Sequence, residues 1–437
     1  MKAWRILHVD LLKPIPSLRL EKDKEGVYVY FWYHGLLLGR KTFASCELPL
    51  SSRGLCDEAI RSVLPAVAHY WKLNSEVAWR DLSMLSALDR PLERLAEKLA
   101  PAGPSESISV IICTRERPAH LRECLKSLER LSERPDEVLV VDNASRTSET
   151  REVVREFPDV QYVFEPRPGL DIARNTGWRH SSGGIVVFTD DDVVVHPDWI
   201  KRLRQGFTEP AVWAVTGPAL PAALTTRAEV AFETLWSFDR GYTPMLFTPE
   251  FVQKTRSRGS PTWIIGAGAN MAFRRQALLL LGGFDERLDV GAAGCGGDSE
   301  FWYNLLSHGK SCRYQPSAVV FHHHRSEWRA LQSQIFYYMR GHVSALLIQF
   351  EKHRHWGNLR RLFLSLPWFW GRLFLRGCIG GFSLRHKFLW QELTGSLSGL
   401  WYYWRLSCPL GPAKLEKHDR HVLKLPELIT SKYRRRV

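Results

Sequence analysis

With 437 residues, 45% of them apolar and 24% charged, the chain has the length and composition of a globular protein of more than one domain. Its eight cysteines form no CxxC pair, which argues against a zinc ribbon or a disulfide scaffold and favours a reducing compartment. The net charge of +14 is concentrated in a tail, because residues 351–437 carry 17 Lys plus Arg and 5 Asp plus Glu. Nucleic-acid enzymes more often carry positive charge around the catalytic site, so we expect no nucleic-acid partner. The first 18 residues hold no apolar core of signal-peptide length, since Asp10 and Lys13 interrupt it.

Residues 1–103 are typical of a small accessory α+β module. Val27–Phe43 predicts two strands around His34-Gly35. Helical patterns follow near Asp57–Lys72 and Arg80–Leu99. The composition of Pro101–Ser107 indicates a linker into the next domain.

Residues 104–330 alternate between strand and helix patterns. The strand runs are continuously apolar, as in strands buried on both faces, and short helical segments separate them. This order predicts a parallel sheet, whose ligands bind beyond the carboxyl ends of the strands. Thr114, Asp142 and the triplet Asp190–Asp192 fall at those ends. The predicted strands are Ile108–Thr114, Glu137–Asn143, Val160–Phe164 and Ile185–Phe188, and the predicted helices lie near 121–131, 147–157 and 170–181.

Three consecutive aspartates at a strand end repel one another, each neighbouring pair by roughly 1 kcal/mol in water. In an extended segment Asp190 and Asp192 point to one side and Asp191 to the other. Two carboxylates on one side form a hard oxygen site for Mg²⁺ or Mn²⁺, which would relieve the repulsion. The alternative is a solvated acidic turn or a helix N-cap.

The second half of this domain adds three segments. Trp263–Phe273 predicts a strand entering glycine turns, and its GxG is too incomplete for a dinucleotide fingerprint. Val290–Leu306 predicts a glycine-rich loop running into a helix with Asp298 near its start, either a lid that carries a base or an ordinary surface loop with a capped helix. Tyr314–His324 predicts a final strand that places His322 and His324 on one face, either as metal ligands or as solvated histidines.

The tail, residues 331–437, is predicted to be helical, basic and rich in aromatic residues. Its uncharged stretches of about 10–12 residues are too short to span a bilayer, which needs about 20. Aromatic and leucine residues interleaved with arginine suit a helix lying on an anionic membrane surface. A helical cap on the catalytic domain and an oligomer interface are the alternatives.

Five blocks between residues 107 and 325 resemble the inverting glycosyltransferases of family 2, in the order that the family shows. That family has the GT-A fold, a Rossmann-like, mostly parallel sheet with helices on both faces, so the resemblance implies an α/β fold for this domain. The blocks are ISVIICTRERPAHLRECLKSL, EVLVVDNAS, GLDIARNTGWRHSSGGIVVFTDDD, GAGANMAFRRQALLLLGGFDERL, and GGDSEFWYNLLSHG followed by PSAVVFHHHR.

The resemblance implies transfer of a sugar, with inversion, from a nucleotide-sugar to a hydroxyl of a glycan or lipid-linked acceptor, in the synthesis of cell-surface polysaccharide or glycoconjugate. It implies Mg²⁺ or Mn²⁺ bound through the DxD motif by Asp190 and Asp192, with His322, and it implies Asp298 as the catalytic base. The residues implied to bind the nucleotide-sugar are Thr114, Arg115, Glu116, Asp142, Arg174, Asn175, Asp190 and Asp191.

The sequence departs from the family pattern at two positions. Gly297 stands before Asp298 where the family commonly has Glu, and this bears on how Asp298 is held. Glu116 stands where Asn is common, and this bears on recognition of the base.

Two other functions compete with this hypothesis. A nucleotidyltransferase of related fold would usually open on a glycine-rich loop, and TRERP at 114–118 contains no glycine. A non-catalytic, basic adaptor at the membrane surface would not need the set Asp142, Asp190, Asp192 and Asp298. The favoured enzyme is expected to be cytoplasmic and peripheral at the inner face of the membrane.

Overall fold

The computed structural model describes residues 3–71 and 105–407. The helix predicted over Arg80–Leu99, most of the linker and the last thirty residues of the basic tail lie outside the described residues. The domain boundaries at 103/104 and 330/331 stay predictions.

Over residues 3–71, the N-terminal module is a three-stranded sheet covered by one helix. The two strands predicted around His34-Gly35 are confirmed as β2 (Lys24–Tyr33) and β3 (Leu36–Ala44). Both turn residues have positive φ, as two-residue hairpin turns require. Strand β1 (Ala3–Asp10), which the sequence patterns did not reveal, pairs parallel to β2. Helix α1 (Ser52–Trp71) packs its apolar face on the sheet.

The next domain is built on an eight-stranded sheet, mostly parallel, as predicted. Its order is β11-β13-β9-β12-β7-β4-β5-β6, with β12 antiparallel to both neighbours and β11 antiparallel to β13. Three strands, β8, β10 and β14, form a separate small sheet. The strands are β4 Ile108–Thr114, β5 Glu137–Asn143, β6 Val160–Glu165, β7 Ile185–Asp190, β8 Val193–Val195, β9 Val212–Thr216, β10 Ala219–Pro221, β11 Met245–Phe247, β12 Asn270–Arg274, β13 Ser311–Tyr314 and β14 Val320–His322.

Helices cover both faces of the large sheet, so every residue of β4 is buried. On one face, helix residues such as Leu121 and Trp199 pack against the sheet, and on the other Trp178 and Phe301 do so. The helices of this domain are α2 Pro118–Glu129, α3 Glu149–Arg155, α4 Leu170–His180, α5 Trp199–Gly206, α6 Arg227–Trp236, α7 Pro249–Thr255, α8 Arg275–Leu281 and α9 Gly297–Ser307.

Two strand predictions were wrong in extent. The strand expected over Trp263–Phe273 begins only at Asn270, after a 3₁₀ turn at Thr262–Ile264. The glycines between them pass close to other segments of the same chain. A Cβ at Gly266 would lie 2.6 Å from the Cβ of Thr216 on β9, so this stretch is a tight turn. The strand expected over Tyr314–His324 is two strands, β13 and β14, separated by a turn in which Ala318 N donates to Gln315 O at 3.1 Å.

The small sheet explains why two distant segments meet. Strand β14 lies between β10 and β8, and His322 is paired in register with Val193, the residue that follows the aspartate triplet. His323 N donates to Asp192 O at 2.9 Å. The end of the histidine strand is therefore fixed beside the acidic triplet by backbone hydrogen bonds.

The C-terminal region is helical over its described part, which ends at residue 407, and it packs on the domain that precedes it. Lys352 Nζ lies 2.8 Å from Glu300 Oε1, and Tyr402 Oη donates to Arg287 O at 3.1 Å. Part of it is thus a cap, one of the three alternatives. Searched from 3 to 71 and from 105 to 407, the chain contains no helix with both the length and the hydropathy needed to cross a membrane. The elements are α10 Trp328–His353, α11 Gly357–Arg360, a π-turn at Arg361–Ser365, α12 Leu366–Gly380 and α13 Leu389–Ser407.

Candidate active site

The first and third aspartates of the triplet and one histidine of β14 converge at the edge of the sheet. One ligand atom each from Asp190, Asp192 and His322 lies within 4.8 Å of the others. His322 Nε2 is 3.3 Å from Asp192 Oδ1. The three residues share this cluster because β7 ends at Asp190 and β14 pairs with β8 immediately after Asp192.

The electrostatics of the cluster are those of crowded carboxylates with a cationic partner. Burial raises the pKa of Asp190 to about 6, although Arg174 opposes the shift. Burial also acts to raise the pKa of Asp192, but His322 and Arg117 outweigh it and lower that pKa. Burial acts to lower the pKa of His322, but the Asp192 carboxylate outweighs burial and raises it.

Strand alternation does not extend through the triplet, because β7 ends at Asp190 and the next two aspartates lie in a turn. Asp191 nevertheless lies outside the cluster. Its Oδ2 accepts from Thr114 Oγ1 at 2.6 Å. Arg117, which the sequence patterns did not single out, places Nη1 2.6 Å from Asp191 Oδ1 and 2.8 Å from Asp192 Oδ2. One arginine thus bridges two of the three carboxylates and reduces their repulsion. A basic residue three positions after a strand end was the available signal, but many surface loops carry one.

Arg174 occupies the space between the triplet and the loop that precedes α9. Its side chain is only 4% exposed, and Nη1 lies 3.0 Å from Asp171 Oδ1 and 2.7 Å from Asp289 Oδ2. Its Nη2 lies 3.7 Å from Asp190 Oδ1. Asp171 and Asp289 were not predicted as site residues, and only the folded chain brings these acidic groups to one guanidinium.

Asp298 lies in the first turn of α9, as predicted, and near Arg174. A Cβ at Gly268 would meet Arg174 Nη2 at 2.9 Å and Asp298 Oδ2 at 3.3 Å, so both groups border the same backbone. Asp298 Oδ1 accepts from the Ser299 amide at 2.6 Å. Burial, reinforced by Asp289, raises the pKa of Asp298 against the opposing effect of Arg174.

The absence of a side chain at Gly297 is a steric requirement. A Cβ there would overlap the Asp171 carboxylate, with Cγ at 2.6 Å and Oδ1 at 2.7 Å. Asp171 therefore fills the space that a side chain at position 297 would need. The preceding loop turns through Gly291, Gly294 and Gly296, all with positive φ, and Gly296 forms the left-handed N-cap of α9.

The predicted nucleotide-binding residues do not all face the same space. Asp142 is buried; its Oδ2 accepts from Tyr162 Oη at 2.7 Å, and its Oδ1 has no hydrogen-bond partner within the residues described. Glu116 accepts from the Arg146 amide at 3.1 Å and so links two loops. Asn175 points away from the triplet: its amide contacts Phe284 O at 2.9 Å, and its Oδ1 accepts from Phe284 N at 2.8 Å.

One cavity of about 2150 Å³ joins these groups to the C-terminal helices. It is larger than the roughly 300–1,000 Å³ of a typical small-molecule pocket. Of the predicted residues, Glu116, Asp142 and Asn175 do not line it. The far end is formed by aromatic and basic side chains of the C-terminal region, among them Tyr337, Trp368 and Arg361. The predicted residues that do line it are Thr114, Arg115, Arg174, Asp190, Asp191, Asp192, Asp298 and His322.

The donor set at the triplet fits a divalent cation. Two carboxylates supply hard oxygen ligands, and His322 Nε2 faces Asp192 rather than solvent. The carboxylate oxygens suit Mg²⁺ or Mn²⁺, and the imidazole is a ligand that a transition ion such as Mn²⁺ accepts. A possible metal site of two aspartates and one histidine is therefore present.

Comparison with known proteins places the chain in a family. The model for "Glycosyl transferase family 2" matches residues 109–278. The succinoglycan biosynthesis protein ExoM of Rhizobium meliloti is 30% identical over 233 residues, which cover 50% of this chain and 67% of that protein. A pre-mycofactocin glycosyltransferase of Mycobacterium tuberculosis is 29% identical over 240 residues, 54% of this chain and 47% of that protein. The chain thus spans about half the length of the first such relatives. It belongs to family 2 of the glycosyltransferases.

Solved structures with similar folds include a mannosyltransferase from Pyrobaculum calidifontis in complex with GDP-Man and Mn²⁺. The two sequences are 19% identical, the match covers 70% of this chain and 92% of the mannosyltransferase chain, and the TM-score is 0.46. A glucosyl-3-phosphoglycerate synthase from Mycobacterium tuberculosis, 18% identical, covers 56% and 78% with a TM-score of 0.39. The predicted fold class is confirmed by the chain's own architecture: a mostly parallel sheet with helices on both faces, an N-terminal α+β module and a helical C-terminal region.

Proposed function

We propose that this protein is a metal-dependent glycosyltransferase that moves a sugar, with inversion, from a nucleotide-sugar to a hydroxyl of a glycan or lipid-linked acceptor. The observation that carries the proposal is the convergence of Asp190, Asp192 and His322 within 4.8 Å in a cavity that Asp298 also lines. Relatives named for succinoglycan and O-antigen biosynthesis support a role in cell-surface polysaccharide or glycoconjugate synthesis.

Asp190, Asp192 and His322 would hold Mg²⁺ or Mn²⁺. A divalent cation bound there supplies a Lewis acid that offsets the charge of a leaving diphosphate. Arg117 bridges Asp191 and Asp192 and so keeps the aspartate side chains oriented when the donor is absent. Arg174 lies 3.7 Å from Asp190 and adds a fixed positive charge on the other side of the cluster.

The nucleotide part of the donor would bind beyond the carboxyl ends of β4 and β5. Thr114 and Arg115 line the cavity there. Asp142 does not line the cavity, but its buried Oδ1 has no hydrogen-bond partner in the described structure, and we assign to it an N–H or O–H of a nucleotide bound at the end of β5. Glu116 and Asn175 act by positioning, Glu116 by joining two loops and Asn175 by holding Phe284.

Asp298 would take the proton from the attacking hydroxyl. Burial raises the pKa of Asp298, and a carboxylate with a raised pKa is a stronger base than an exposed one. Direct attack on the sugar carbon then inverts the anomeric centre without a covalent intermediate. A glycoside hydrolase would need a second carboxyl on the leaving-group side, held protonated. A leaving diphosphate, whose charge a divalent cation offsets, would need no such proton.

The acceptor would enter from the end of the cavity formed by the C-terminal helices. Trp368, Phe369 and Arg361 line that end, and an apolar and basic lining suits an acceptor that carries a lipid or an anionic group. The outer surface of these helices exposes Trp390 at 71% and Ile379 at 89%. Such a surface, with the basic residues beside it, would bind an anionic membrane at its cytoplasmic face.

The catalytic proposal is tested with two variants and a panel of nucleotide-sugars in Mn²⁺. Asp192→Ala is expected to abolish metal-dependent donor binding and turnover. Asp298→Asn is expected to bind donor as wild type does but to turn over about 10²–10⁴ times more slowly. Asp159→Asn, at an exposed position, is the matched control. Full activity of Asp192→Ala would refute the metal role, and equal loss of binding and turnover in Asp298→Asn would make Asp298 structural.

The membrane proposal is tested by flotation with vesicles of anionic phospholipid at low salt. The double variant Trp390→Ser/Trp401→Ser removes two exposed side chains of α13 and should reduce the floating fraction. Leu12→Ser, 52% exposed on the N-terminal module, is the control and should float like wild type. If wild-type protein stays at the bottom of the gradient, this surface does not bind membranes.

A further inference from the structure

Two arginines meet at Trp263, on the wall of the large cavity. Arg361, the first residue of the π-turn, places its Cζ 4.2 Å from the centre of the Trp263 ring. Arg240 Nη2 donates to the backbone oxygen of Trp263 at 3.2 Å. All three residues line the cavity of about 2150 Å³. Two guanidinium groups therefore border one part of its wall.

Neither guanidinium contacts a carboxylate within the residues described. Arg361 Nε donates to His342 Nε2 at 3.2 Å, and an imidazole offers no negative charge. Arg240 Nη1 donates to Ser237 O at 2.6 Å, and its Nη2 reaches only the Trp263 carbonyl. The partners of both groups are therefore neutral.

Burial makes these unpaired charges costly. It lowers the pKa of Arg361 to about 10, and it also lowers the pKa of Arg240. Burial acts in the same direction on Arg117 and Arg174, but the carboxylates that those two contact outweigh it and raise their pKa. Buried charges in proteins are normally paired, so the wall at Trp263 is short of an anion.

A phosphate group fits both the charge and the geometry of this wall. A guanidinium presents a planar fork of N–H donors that matches the oxygens of a phosphate. Only Nε of Arg361 is engaged in a hydrogen bond with the described part of the chain, which leaves its two Nη atoms for a ligand. Arg361 also borders a smaller pocket of about 430 Å³, whose other charged lining residues, Lys254 and Arg258, are basic and so do not compete with an anion.

The wall lies close to the candidate base. Trp263 belongs to the 3₁₀ turn Thr262–Ile264, and Thr262 Oγ1 donates to Ser299 O at 2.9 Å. Ser299 follows Asp298 in the first turn of α9. A ligand whose phosphate is bound at this wall would therefore have its neighbouring hydroxyl groups near Asp298.

We propose that Arg240 and Arg361 bind a phosphate group of the acceptor, which is then a sugar or glycan that carries a phosphate or diphosphate ester. The inference rests on the proposed function and names the class of acceptor for it. Two sources of such a group fit the cavity. The exposed side chains of Leu364 and Trp368 line the same end and suit the chain of a lipid-linked diphosphate, whereas a soluble sugar phosphate would use the arginines alone.

The test measures binding of inorganic pyrophosphate by titration calorimetry on the full-length protein, with EDTA present and no donor. Arg361→Met and Arg240→Met are each expected to weaken this binding about 10–100-fold, because each removes charge-assisted hydrogen bonds. Arg361→Met should fold, since it removes a cation that no described carboxylate compensates, and Arg240→Met is a second, independent variant. Arg376→Met is the matched control: it removes the same charge from an exposed position of α12 outside the cavity and should bind as wild type does.

Donor binding in Mn²⁺ separates the acceptor's phosphate from the donor's diphosphate. Both cavity variants should bind a nucleotide-sugar with a Kd near the wild-type value. Equal losses of donor and pyrophosphate affinity would assign the arginines to the donor and overturn the inference. Wild-type protein that does not bind pyrophosphate, unchanged binding in the cavity variants, or equal weakening in Arg376→Met would overturn it as well. Failure of the wild-type protein to bind any nucleotide-sugar in Mn²⁺ would instead overturn the proposed function, while the metal-free titration would still report on the arginines.

Two further probes distinguish the sources of the phosphate. If the acceptor is lipid-linked, farnesyl diphosphate should bind the wild-type protein at least about 10-fold more tightly than pyrophosphate, because burial of two methylene groups already gives this factor. Equal affinity for these two probes, together with binding of glucose 1-phosphate that Arg361→Met weakens, would identify a soluble sugar phosphate.

Discussion

Adding a single methyl group at Gly297 should separate the position of Asp298 from the stability of the domain. In Gly297→Ala the new Cβ would lie 2.6 Å from Asp171 Cγ, against about 3.5 Å for a normal contact, so one side must move by about 1 Å. Asp171 is held by Arg174 at 3.0 Å and has a fully buried side chain. The start of α9 is therefore expected to move instead, and Asp298 moves with it.

The size of the effect follows from that displacement. Overpacking of this kind costs about 1–3 kcal/mol of folding free energy. A misplacement of about 1 Å at a reacting group reduces turnover about 10²-fold, or about 2.7 kcal/mol in the activation barrier. We expect kcat to fall by this factor while the Kd for donor stays near the wild-type value, because Thr114 and Asp190 lie on other elements.

Initial rates of sugar transfer, donor titrations and thermal unfolding provide the three measurements. Gly371→Ala on α12 is the control, since nothing lies within 4 Å of its added Cβ and the substitution should leave activity unchanged. Wild-type turnover in Gly297→Ala would refute the reasoning, since it would show that Asp298 does not depend on this contact.

Three further predictions concern charge. Arg117→Met should lower the free energy of unfolding by about 3 kcal/mol in metal-free protein, because it leaves two buried carboxylates without their shared cation. The loss should be smaller in saturating Mn²⁺, and urea unfolding measures it, with Arg115→Met at an exposed position as the control. Equal losses with and without Mn²⁺ would contradict the prediction. Burial raises the pKa of Asp298, so kcat should fall with decreasing pH through a value above 3.8, and a pH–rate profile with no acid limb above that value would count against Asp298 as base. Burial acts to raise the pKa of Asp285, but Arg287 and Lys352 outweigh burial and lower it. The stability that Lys352 adds through this ion pair should therefore be present above about pH 4 and be lost as the pH falls below it. If Lys352→Met changes the free energy of unfolding equally at every pH, this explanation is wrong.

The sheet and its carboxyl edge were predictable because they depend on local patterns. Ile108–Thr114 and Glu137–Asn143 are apolar runs, and the structure begins and ends both strands at the residues expected. Parallel strands place Thr114 beside Asp142 and Cys113 beside Asp190 in register. The acidic edge of the sheet therefore follows from the order of the strands alone.

The electrostatic partners were not predictable, because they come from distant parts of the chain. Arg174 meets Asp289 across 115 residues, and Arg40 meets Glu233 across 193. No spacing in the sequence marks such pairs, because Arg, Asp and Glu are also the ordinary residues of protein surfaces. Asn175 was predicted, with Arg174, to bind the nucleotide-sugar, but it does not line the cavity. Adjacent residues of a helix point in different directions, so Arg174 faces the site while the Asn175 amide contacts Phe284 O.

The contact between Gly297 and Asp171 also makes a prediction that neither single variant tests. If the two groups compete for one space, Asp171→Ala should make room for the methyl group of Gly297→Ala. The double variant would then turn over faster than the product of the two single effects allows, a coupling of about 0.5–3 kcal/mol for residues in contact. Asp171→Ala alone should also lower activity, because Arg174 would lose a partner at 3.0 Å and Asp289 would remain its other close carboxylate. Strictly additive losses would mean that Asp298 is displaced by a change in the backbone at position 297, and not by the carboxylate of Asp171.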